Sequence, residues 1–182
     1  NALLKVMEEP PEGVLFLLTA DSLAGVLPTI RSRCVSFAIA PVSPADCARY
    51  CTAHGVDKKT AALYSELFDG HIGTVLTAAC DKARTEQVDK AMELARAAQA
   101  GDSYTAAVLL APYEKDKAGA AALLRDLRAV AAAGLQGSPH APVQGQQAQR
   151  TLRLAEAAIQ RLGAQVNPKI VLTVFAARLA HA

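Results

Sequence analysis

The feature that most limits the possible folds is the alanine- and leucine-rich composition of the chain from about residue 61 to its end. Alanine and leucine lose little conformational entropy on entering a helix, so such a sequence is expected to be helical over most of its length. Hydrophobic residues make up 52% of the 182 residues, which is enough to bury a real core. We therefore expect a mostly α protein made of one ordinary domain or two small ones.

The charges are nearly balanced, because 19 basic residues stand against 17 acidic ones and the net charge is +2. The sequence contains no block of five like charges, so a polybasic arm for nucleic acid is not expected. It also shows no signal peptide and no run of 18 apolar residues, which predicts no membrane span. The four cysteines include no C-x-x-C pair, and unpaired cysteines are typical of a reduced, cytoplasmic setting.

Residues 1–40 differ in pattern from the rest of the chain. A short helix over Leu3–Glu9 is predicted to end at the two prolines that follow, because consecutive prolines cannot continue a helix. Val14–Thr19 is a continuous apolar run of strand length, Leu23–Ile30 has the pattern of a short helix, and Cys34–Ile39 alternates like a second strand. Strand, helix and strand form a βαβ unit, which needs a larger sheet around it. We therefore expect a small α/β remnant of a longer protein here.

Residues 41–84 are predicted to form three short helices. Ser43 is a good N-cap and Pro44 suits the first turn, so the first helix should begin there. The second helix is expected over Asp57–Asp69, and the third from Ile72 onwards, after the chain breaks at Gly70.

Residues 85–182 are predicted to form a bundle of five helices. Apolar residues recur at helical spacing, Gly101 is expected to end the first helix and Ser103 to cap the second, and residues 137–145 form a loop rich in glycine and proline. Asn167–Pro168 is a strong start for the last helix. That helix is apolar nearly all round, so it should be buried, either within the bundle or against another subunit.

One short motif, Ser32-Arg33-Cys34, stands where the predicted short helix leads into the second strand. An arginine at the end of such an element can project from the rim of a sheet, where its guanidinium can meet phosphate oxygens in a forked, charge-assisted geometry. The alternative is an arginine whose donors are satisfied by carbonyl groups at the nearby helix end. The tripeptide alone does not separate these two interpretations.

The surroundings of this motif resemble a known family. Residues 1–11 read NALLKVMEEPP, and they are similar to the N-A-L-L-K-x-L-E-E-P-P stretch of clamp-loader ATPases of the AAA+ class. In that family an apolar strand, a short helix and S-R-C follow at nearly this spacing. The resemblance implies the end of an AAA+ α/β domain in residues 1–40, a three-helix lid in 41–84 and an all-α collar bundle in 85–182.

The resemblance also implies roles for particular residues. In the clamp-loader family the S-R-C arginine, here Arg33, is an arginine finger that reaches into the ATP site of the neighbouring subunit. Such a finger neutralises charge that develops on the transferred phosphoryl group, and in related hydrolases it is worth roughly 10³–10⁵ in rate. Ser32 and Cys34 would be structural neighbours that place the turn. Thr19 lies near the family's sensor-1 position, where Ala20 aligns equally well.

Gly73 bears on which kind of clamp-loader subunit the sequence resembles. ATP-hydrolysing relatives carry G-S-L-R-D-A-L at the start of the third lid helix, and the arginine of this motif touches bound nucleotide as sensor 2. This chain has GHIGTVL over residues 70–76, with Gly73 where that arginine would stand. A glycine offers no charge to a phosphate, and this form is similar to delta-prime subunits, which provide a finger but do not hydrolyse ATP. The sequence also contains no G-x-x-x-x-G-K-[ST] phosphate loop, so no cofactor is expected in this part of the protein.

The resemblance therefore implies a non-hydrolysing subunit of the sliding-clamp loader of bacterial DNA polymerase III. Its partners would be the gamma/tau and delta subunits and, through the complex, the sliding clamp and primed DNA. An ATP-binding gamma/tau subunit is the alternative within the family, and Gly73 argues against it. A helical interaction module with no role in ATP chemistry is the alternative from outside the family.

Cys47, Cys51 and His54 could share one face of a helix, which is the spacing of part of a metal site. A zinc site needs a fourth ligand and a closed shell. The simpler interpretation of the two cysteines is that they are small buried hydrophobic side chains, and no metal is expected.

Overall fold

The computed structural model describes residues 5–7, 9–20, 22–164 and 166–180, and the chain divides into two compact units, residues 1–40 and 41–182. Within the described residues the regular secondary structure is helical, which confirms the mostly α class. The predicted helix over Leu3–Glu9 lies partly outside the described residues, and its residues 5–7 are helical.

The first unit contains two short helical pieces in place of the single helix predicted over Leu23–Ile30. A 3₁₀ turn spans Leu23–Gly25, where the hydroxyl of Ser22 accepts a hydrogen bond from the backbone N–H of Ala24. Helix α1 spans Pro28–Arg31 and begins with its proline, whose missing N–H would have no partner in a first helical turn.

The two strands predicted for the first unit, Val14–Thr19 and Cys34–Ile39, are not formed, and this part of the prediction is wrong. A strand is stable only when its backbone N–H and C=O groups pair with a neighbouring strand, and neither segment is paired in this way with any described part of the chain. Their side chains remain open to solvent, since the exposed fractions of Leu17, Phe37 and Ile39 are 86%, 85% and 95%. Both segments have the apolar composition of buried strands, but no described part of the chain provides a neighbouring strand.

The second unit begins with three short helices, as predicted: α2 (Pro44–Ala53), α3 (Lys58–Leu67) and α4 (Ile72–Cys80). Side-chain caps fix where the first two begin. Ser43 accepts a hydrogen bond from the backbone N–H of Asp46, and Asp57 accepts from those of Lys59 and Thr60. Each cap satisfies helix-end donors that have no partner inside the helix.

Gly70 makes the turn between α3 and α4 possible. Its φ is +74°, in the left-handed region that favours glycine. A Cβ placed on Gly70 would lie 1.7 Å from the carbonyl oxygen of Val42, so the backbone just before α2 passes directly over it. Both the backbone angle and the close approach require glycine here.

Five further helices form the predicted bundle: α5 (Lys82–Ala100), α6 (Ser103–Leu110), α7 (Lys117–Leu135), α8 (Gly145–Gly163) and α9 (Pro168–Ala180). Helices α7 and α8 share the most extensive contact, and α9 packs on α6 and α8. Gly101 ends α5 with a φ of +69°, as predicted. The cap of α6 is Asp102 and not the predicted Ser103, because the Asp102 carboxylate accepts the backbone N–H of Thr105 at 3.0 Å.

Leucine side chains fill the centre of the bundle. Each fully buried leucine stabilises the fold by about 1.5–3 kcal/mol relative to an exposed one. Seven are buried in this way: Leu94, Leu110, Leu123, Leu124, Leu127, Leu162 and Leu179. The prediction that the last helix is buried holds for one face only. The buried residues of α9 are Val171, Leu172, Phe175, Ala176 and Leu179, and its exposed residues are Lys169, Ile170, Thr173, Ala177 and Arg178.

The predicted boundary between lid and collar, at residues 84 and 85, falls inside α5. Asp81 is the residue that separates the two groups of helices, since its carboxylate caps α5 through the backbone N–H of Ala83. Both groups belong to the same compact unit. Their assignment as lid and collar stays a prediction.

Candidate functional site

Arg33 lies in a tight turn immediately after helix α1. Its backbone N–H donates to the carbonyl oxygen of Ile30 at 3.0 Å, and the N–H of Cys34 donates to that of Arg31 at 3.4 Å. These bonds to the third residue back continue the winding of α1 in 3₁₀ form. The main chain of Arg33 is therefore held in a defined direction by the helix that precedes it.

The guanidinium of Arg33 is oriented by the end of the same helix. Its Nη1 donates to the carbonyl oxygen of Thr29 at 2.8 Å and to the hydroxyl of Ser32 at 3.3 Å. The Ser32 hydroxyl in turn donates to the Thr29 carbonyl at 3.1 Å. Carbonyl groups in the last turn of a helix lack partners inside it and attract cations, so this arrangement is locally favourable.

Arg33 and Ser32 are exposed, whereas Cys34 is half-buried. The guanidinium is thus held by its own helix without being enclosed in the protein. A guanidinium has five N–H donors in a planar fork, and the hydrogen bonds at Nη1 orient this fork. The structure shows the hydrogen bond to a helix-end carbonyl group, and a contact of Arg33 with phosphate oxygens stays a prediction.

Thr19 and Ala20, the two residues considered for the sensor-1 position, are both exposed and lie outside any helix or strand. Their local structure does not favour one over the other. Whether either of them contacts nucleotide stays a prediction.

Gly73 occupies the second position of α4 and is exposed. A Cβ placed there would have no heavy atom within 4 Å. Packing therefore does not require glycine at this position, and a Cβ would fit. Gly73 lies in the second compact unit and Arg33 in the first, and each site is defined by contacts within its own unit.

Cys47 and Cys51 are both fully buried on α2. Burial, together with the neighbouring Cys47, raises the pKa of the Cys51 thiol to about 11. The His54 ring stacks on Tyr50 with 4.0 Å between ring centroids, and its Nδ1 lies 2.8 Å from the Tyr50 carbonyl oxygen. Within the described ranges, no group of three or more histidine, cysteine or acidic side chains is arranged to hold a metal ion.

The sequence interpretation did not identify Thr29 as the residue that orients Arg33. The spacing of Thr29 and Arg33 indicates this contact. In a helical turn, a side chain lies near the carbonyl group of the residue four positions before it. The sequence interpretation also missed Asp126, a buried carboxylate of the bundle that binds Arg84.

Comparison with known proteins finds similarity at the beginning of the chain. Residues 1–43, which include Ser32, Arg33 and Cys34, match the protein family described as DNA polymerase III, delta subunit. Over 50 residues, 28% of the chain, the sequence is 46% identical to DNA polymerase III subunit delta' of Yersinia pestis and covers 15% of that protein.

Gamma/tau and gamma subunits of DNA polymerase III are similar to this chain to about the same degree. DNA polymerase III subunit gamma/tau of Mycobacterium bovis is 43% identical over 60 residues, which are 31% of this chain and 10% of that protein. DNA polymerase III subunit gamma of Buchnera aphidicola is 44% identical over 46 residues, which are 25% of this chain and 13% of that protein. The chain thus covers only a small share of each relative's length.

No solved structure gives a significant match to the chain. Across the part of the chain that the structure describes, the helices are too short or too polar to cross a membrane.

Proposed function

We propose that this chain belongs to the DNA polymerase III clamp-loader family and is part of a non-hydrolysing subunit of the delta-prime type. It would assemble with other subunits through its helical bundle and provide Arg33 as an arginine finger to a neighbour's ATP site. The observation that carries this proposal is the exposed, helix-anchored turn of Arg33, within the stretch of residues 1–43 that matches the family.

The turn after α1 supplies two properties that a finger requires. The hydrogen bond to Thr29 limits the conformations of the Arg33 side chain before any partner arrives, which lowers the entropy lost on docking. The guanidinium also carries the positive charge that phosphate oxygens attract, and hydrogen bonds between two charged groups are roughly twice as strong as neutral ones.

Gly73 supports the non-hydrolysing assignment. At the position where ATP-hydrolysing relatives carry the sensor-2 arginine, the chain offers no cation, although a Cβ there would meet no heavy atom within 4 Å. We infer that the nucleotide is held by the neighbouring subunit and that this part of the chain binds no cofactor of its own. The partners would be gamma/tau and delta subunits in the cytoplasm and, through the complex, the sliding clamp and primed DNA.

A gamma/tau subunit is the second candidate. It is favoured by the length of the match, since the similarity to the Mycobacterium bovis gamma/tau subunit extends over 60 residues and that to the Yersinia pestis delta' subunit over 50. Equilibrium binding of ATP to the complete, isolated subunit separates the two. Binding supports the gamma/tau alternative, and the absence of binding supports the delta-prime type.

The experiment that tests the finger is reconstitution of the complete clamp loader with Arg33→Ala in this subunit. Arg31→Ala is the matched control, because Arg31 is an exposed arginine in the last turn of α1. DNA-stimulated ATP hydrolysis should fall with Arg33→Ala while assembly is retained, and it should persist with Arg31→Ala. Unchanged hydrolysis by a fully assembled Arg33→Ala complex would favour the helical interaction module.

A further inference from the structure

Charge is unevenly distributed along the chain. Residues 117–182 contain eight of the 19 basic side chains but only two of the 17 acidic ones, Asp126 and Glu156. Both of these carboxylates are engaged by arginines, Asp126 by Arg84 and Glu156 by Arg128. Helices α7 to α9 therefore present a basic surface, although the chain as a whole is close to neutral.

Three arginines of this surface lie together on α7 and α8. Arg128 and Glu156 bridge the two helices with an N–O distance of 2.9 Å, and both side chains are almost half exposed. Arg125 lies one helical turn from Arg128, and Arg153 lies one turn from Glu156, so all four point to the same side. Arg125 and Arg153 are exposed. We call Arg125, Arg128 and Arg153 the arginine face.

The neighbours of the arginine face on α7 and α8 include small and uncharged side chains. On α8 the neighbouring exposed residues are Gln149 and Gln160, and on α7 the outward residues are the half-buried Ala121, Ala129 and Ala132. Small side chains allow another helix to approach the backbone of α7 closely, while the arginines reach beyond them.

We propose that the arginine face binds an acidic helical face of a neighbouring subunit. This inference rests on the proposed function, and it adds which surface of the bundle is used and what chemistry the partner offers. The chain itself shows carboxylates in a helical arrangement of this kind, because Glu86, Asp89 and Glu93 are exposed in the middle of one stripe of α5, with Lys82 and Arg96 at its two ends. A related subunit with a similar stripe would place carboxylates opposite the arginines.

Nucleic acid is a poorer fit to the same surface. Proteins that bind duplex DNA tightly make roughly six to ten phosphate contacts, whereas the arginine face offers three cations. One of these, Arg128, is already paired, and its partner Glu156 would repel a phosphate backbone. The acidic protein surface is therefore the occupant that the charges favour.

The test compares two double charge reversals in the complete subunit during assembly of the clamp loader. Arg125→Glu with Arg153→Glu alters the arginine face. Lys58→Glu with Lys59→Glu makes the same change in net charge in the first turn of α3, where added acidic groups are favourable. The readout is the concentration at which half of the subunit enters the complex, measured in 150 and 500 mM NaCl.

The arginine reversal should weaken assembly by at least about tenfold, because like charges would then oppose each other across the interface. The lysine reversal should change assembly by less than about twofold, and higher salt should weaken assembly of the unmodified subunit. Thermal unfolding monitored by circular dichroism establishes that each variant is folded. If the double charge reversal of Arg125 and Arg153 unfolds the subunit, Arg125→Gln with Arg153→Gln replaces it. This variant should weaken assembly in the same direction but by less.

Normal assembly of the folded arginine variant would overturn the inference, and so would equal losses in both variants. If the arginine variant assembles normally but the complex binds a DNA duplex less tightly, the face serves nucleic acid and the inference is wrong. Failure of the unmodified subunit to assemble would instead contradict the proposed function itself.

Discussion

Arg84 and Asp126 form a two-pronged ion pair that joins the start of α5 to the middle of α7. The Asp126 side chain is 5% exposed and that of Arg84 is 24% exposed, so the pair is largely removed from water. The Arg84 guanidinium carbon also lies 5.8 Å from the centroid of the Phe68 ring, at the end of α3. Hydrogen bonding to Asp126 raises the pKa of Arg84 above its already high ordinary value.

Replacing Arg84 with methionine should destabilise the second unit strongly. The substitution keeps much of the side-chain volume but leaves the buried Asp126 carboxylate without its partner, a change that costs about 3–5 kcal/mol in buried pairs. Urea unfolding followed by circular dichroism measures the change in the free energy of unfolding.

Two further variants show whether this loss comes from an uncompensated charge. Arg49→Met breaks an ion pair whose side chains are 81% and 52% exposed, and it should change the free energy of unfolding by less than about 1 kcal/mol. Arg84→Met combined with Asp126→Leu removes both charges and should recover most of the loss. A loss below about 1 kcal/mol for Arg84→Met alone would show that the pair is not buried as described.

Gly70 and Gly73 should respond in opposite directions to alanine. Gly70→Ala places a Cβ against the Val42 carbonyl at a φ of +74°, so it should destabilise the chain by more than about 2 kcal/mol. Gly73→Ala adds a methyl group to open space within α4 and should stabilise it by about 0.5–1 kcal/mol. Thermal and urea unfolding of the two variants measure both effects, and equal effects would contradict the turn geometry at Gly70.

Cys51 should make the fold sensitive to base. Burial raises the pKa of its thiol from an ordinary 9.0 to about 11 in the folded chain. The unfolded chain therefore loses this proton first as the pH rises, so the contribution of Cys51 to stability is complete below pH 9 and is lost as the pH rises to about 11. The free energy of unfolding of the unmodified chain should fall over this interval more than that of Cys51→Ala.

The comparison with Cys51→Ala removes the effect of lysine and tyrosine side chains, which titrate in the same interval in both proteins. Cys34→Ala is the control for loss of a thiol outside the core, since Cys34 is only half-buried. If Cys34→Ala changed the pH dependence as much as Cys51→Ala, the effect would not be specific to the buried thiol. Identical pH profiles for Cys51→Ala and the unmodified chain would contradict the assignment.

Local signals made most of the helices predictable from sequence. Ser43, Gly101 and Asn167 each mark a helix end through interactions within a few residues, and the structure uses all three as expected. The cap of α6 was misplaced by one residue because aspartate and serine stand next to each other there and both can cap. The strands were mispredicted because strand formation depends on a neighbouring strand, which an apolar run does not supply.

The local contacts of the candidate site were predictable from the sequence, whereas a long-range ion pair elsewhere in the chain was not. The position of Arg33 at the end of a short helix followed from the sequence, and the acceptor four residues earlier follows from helical spacing. The Arg84–Asp126 pair joins residues 42 positions apart, and no local pattern selects one carboxylate among 17 as the partner. Contacts between residues far apart in the sequence can be identified only once the packing of the helices is known.

The most direct test of the account is the rate of hydrolysis of ATP bound to the reconstituted clamp loader in a single turnover on primed DNA. With Arg33→Ala, hydrolysis at the neighbouring site should slow by roughly 10³–10⁵, so the fast phase should lose the amplitude of one site. ATP affinity and assembly should stay close to those of the complex with Arg31→Ala. A full fast phase at the unmodified rate, in a complex that contains Arg33→Ala, would contradict the claim that this arginine completes another subunit's ATP site.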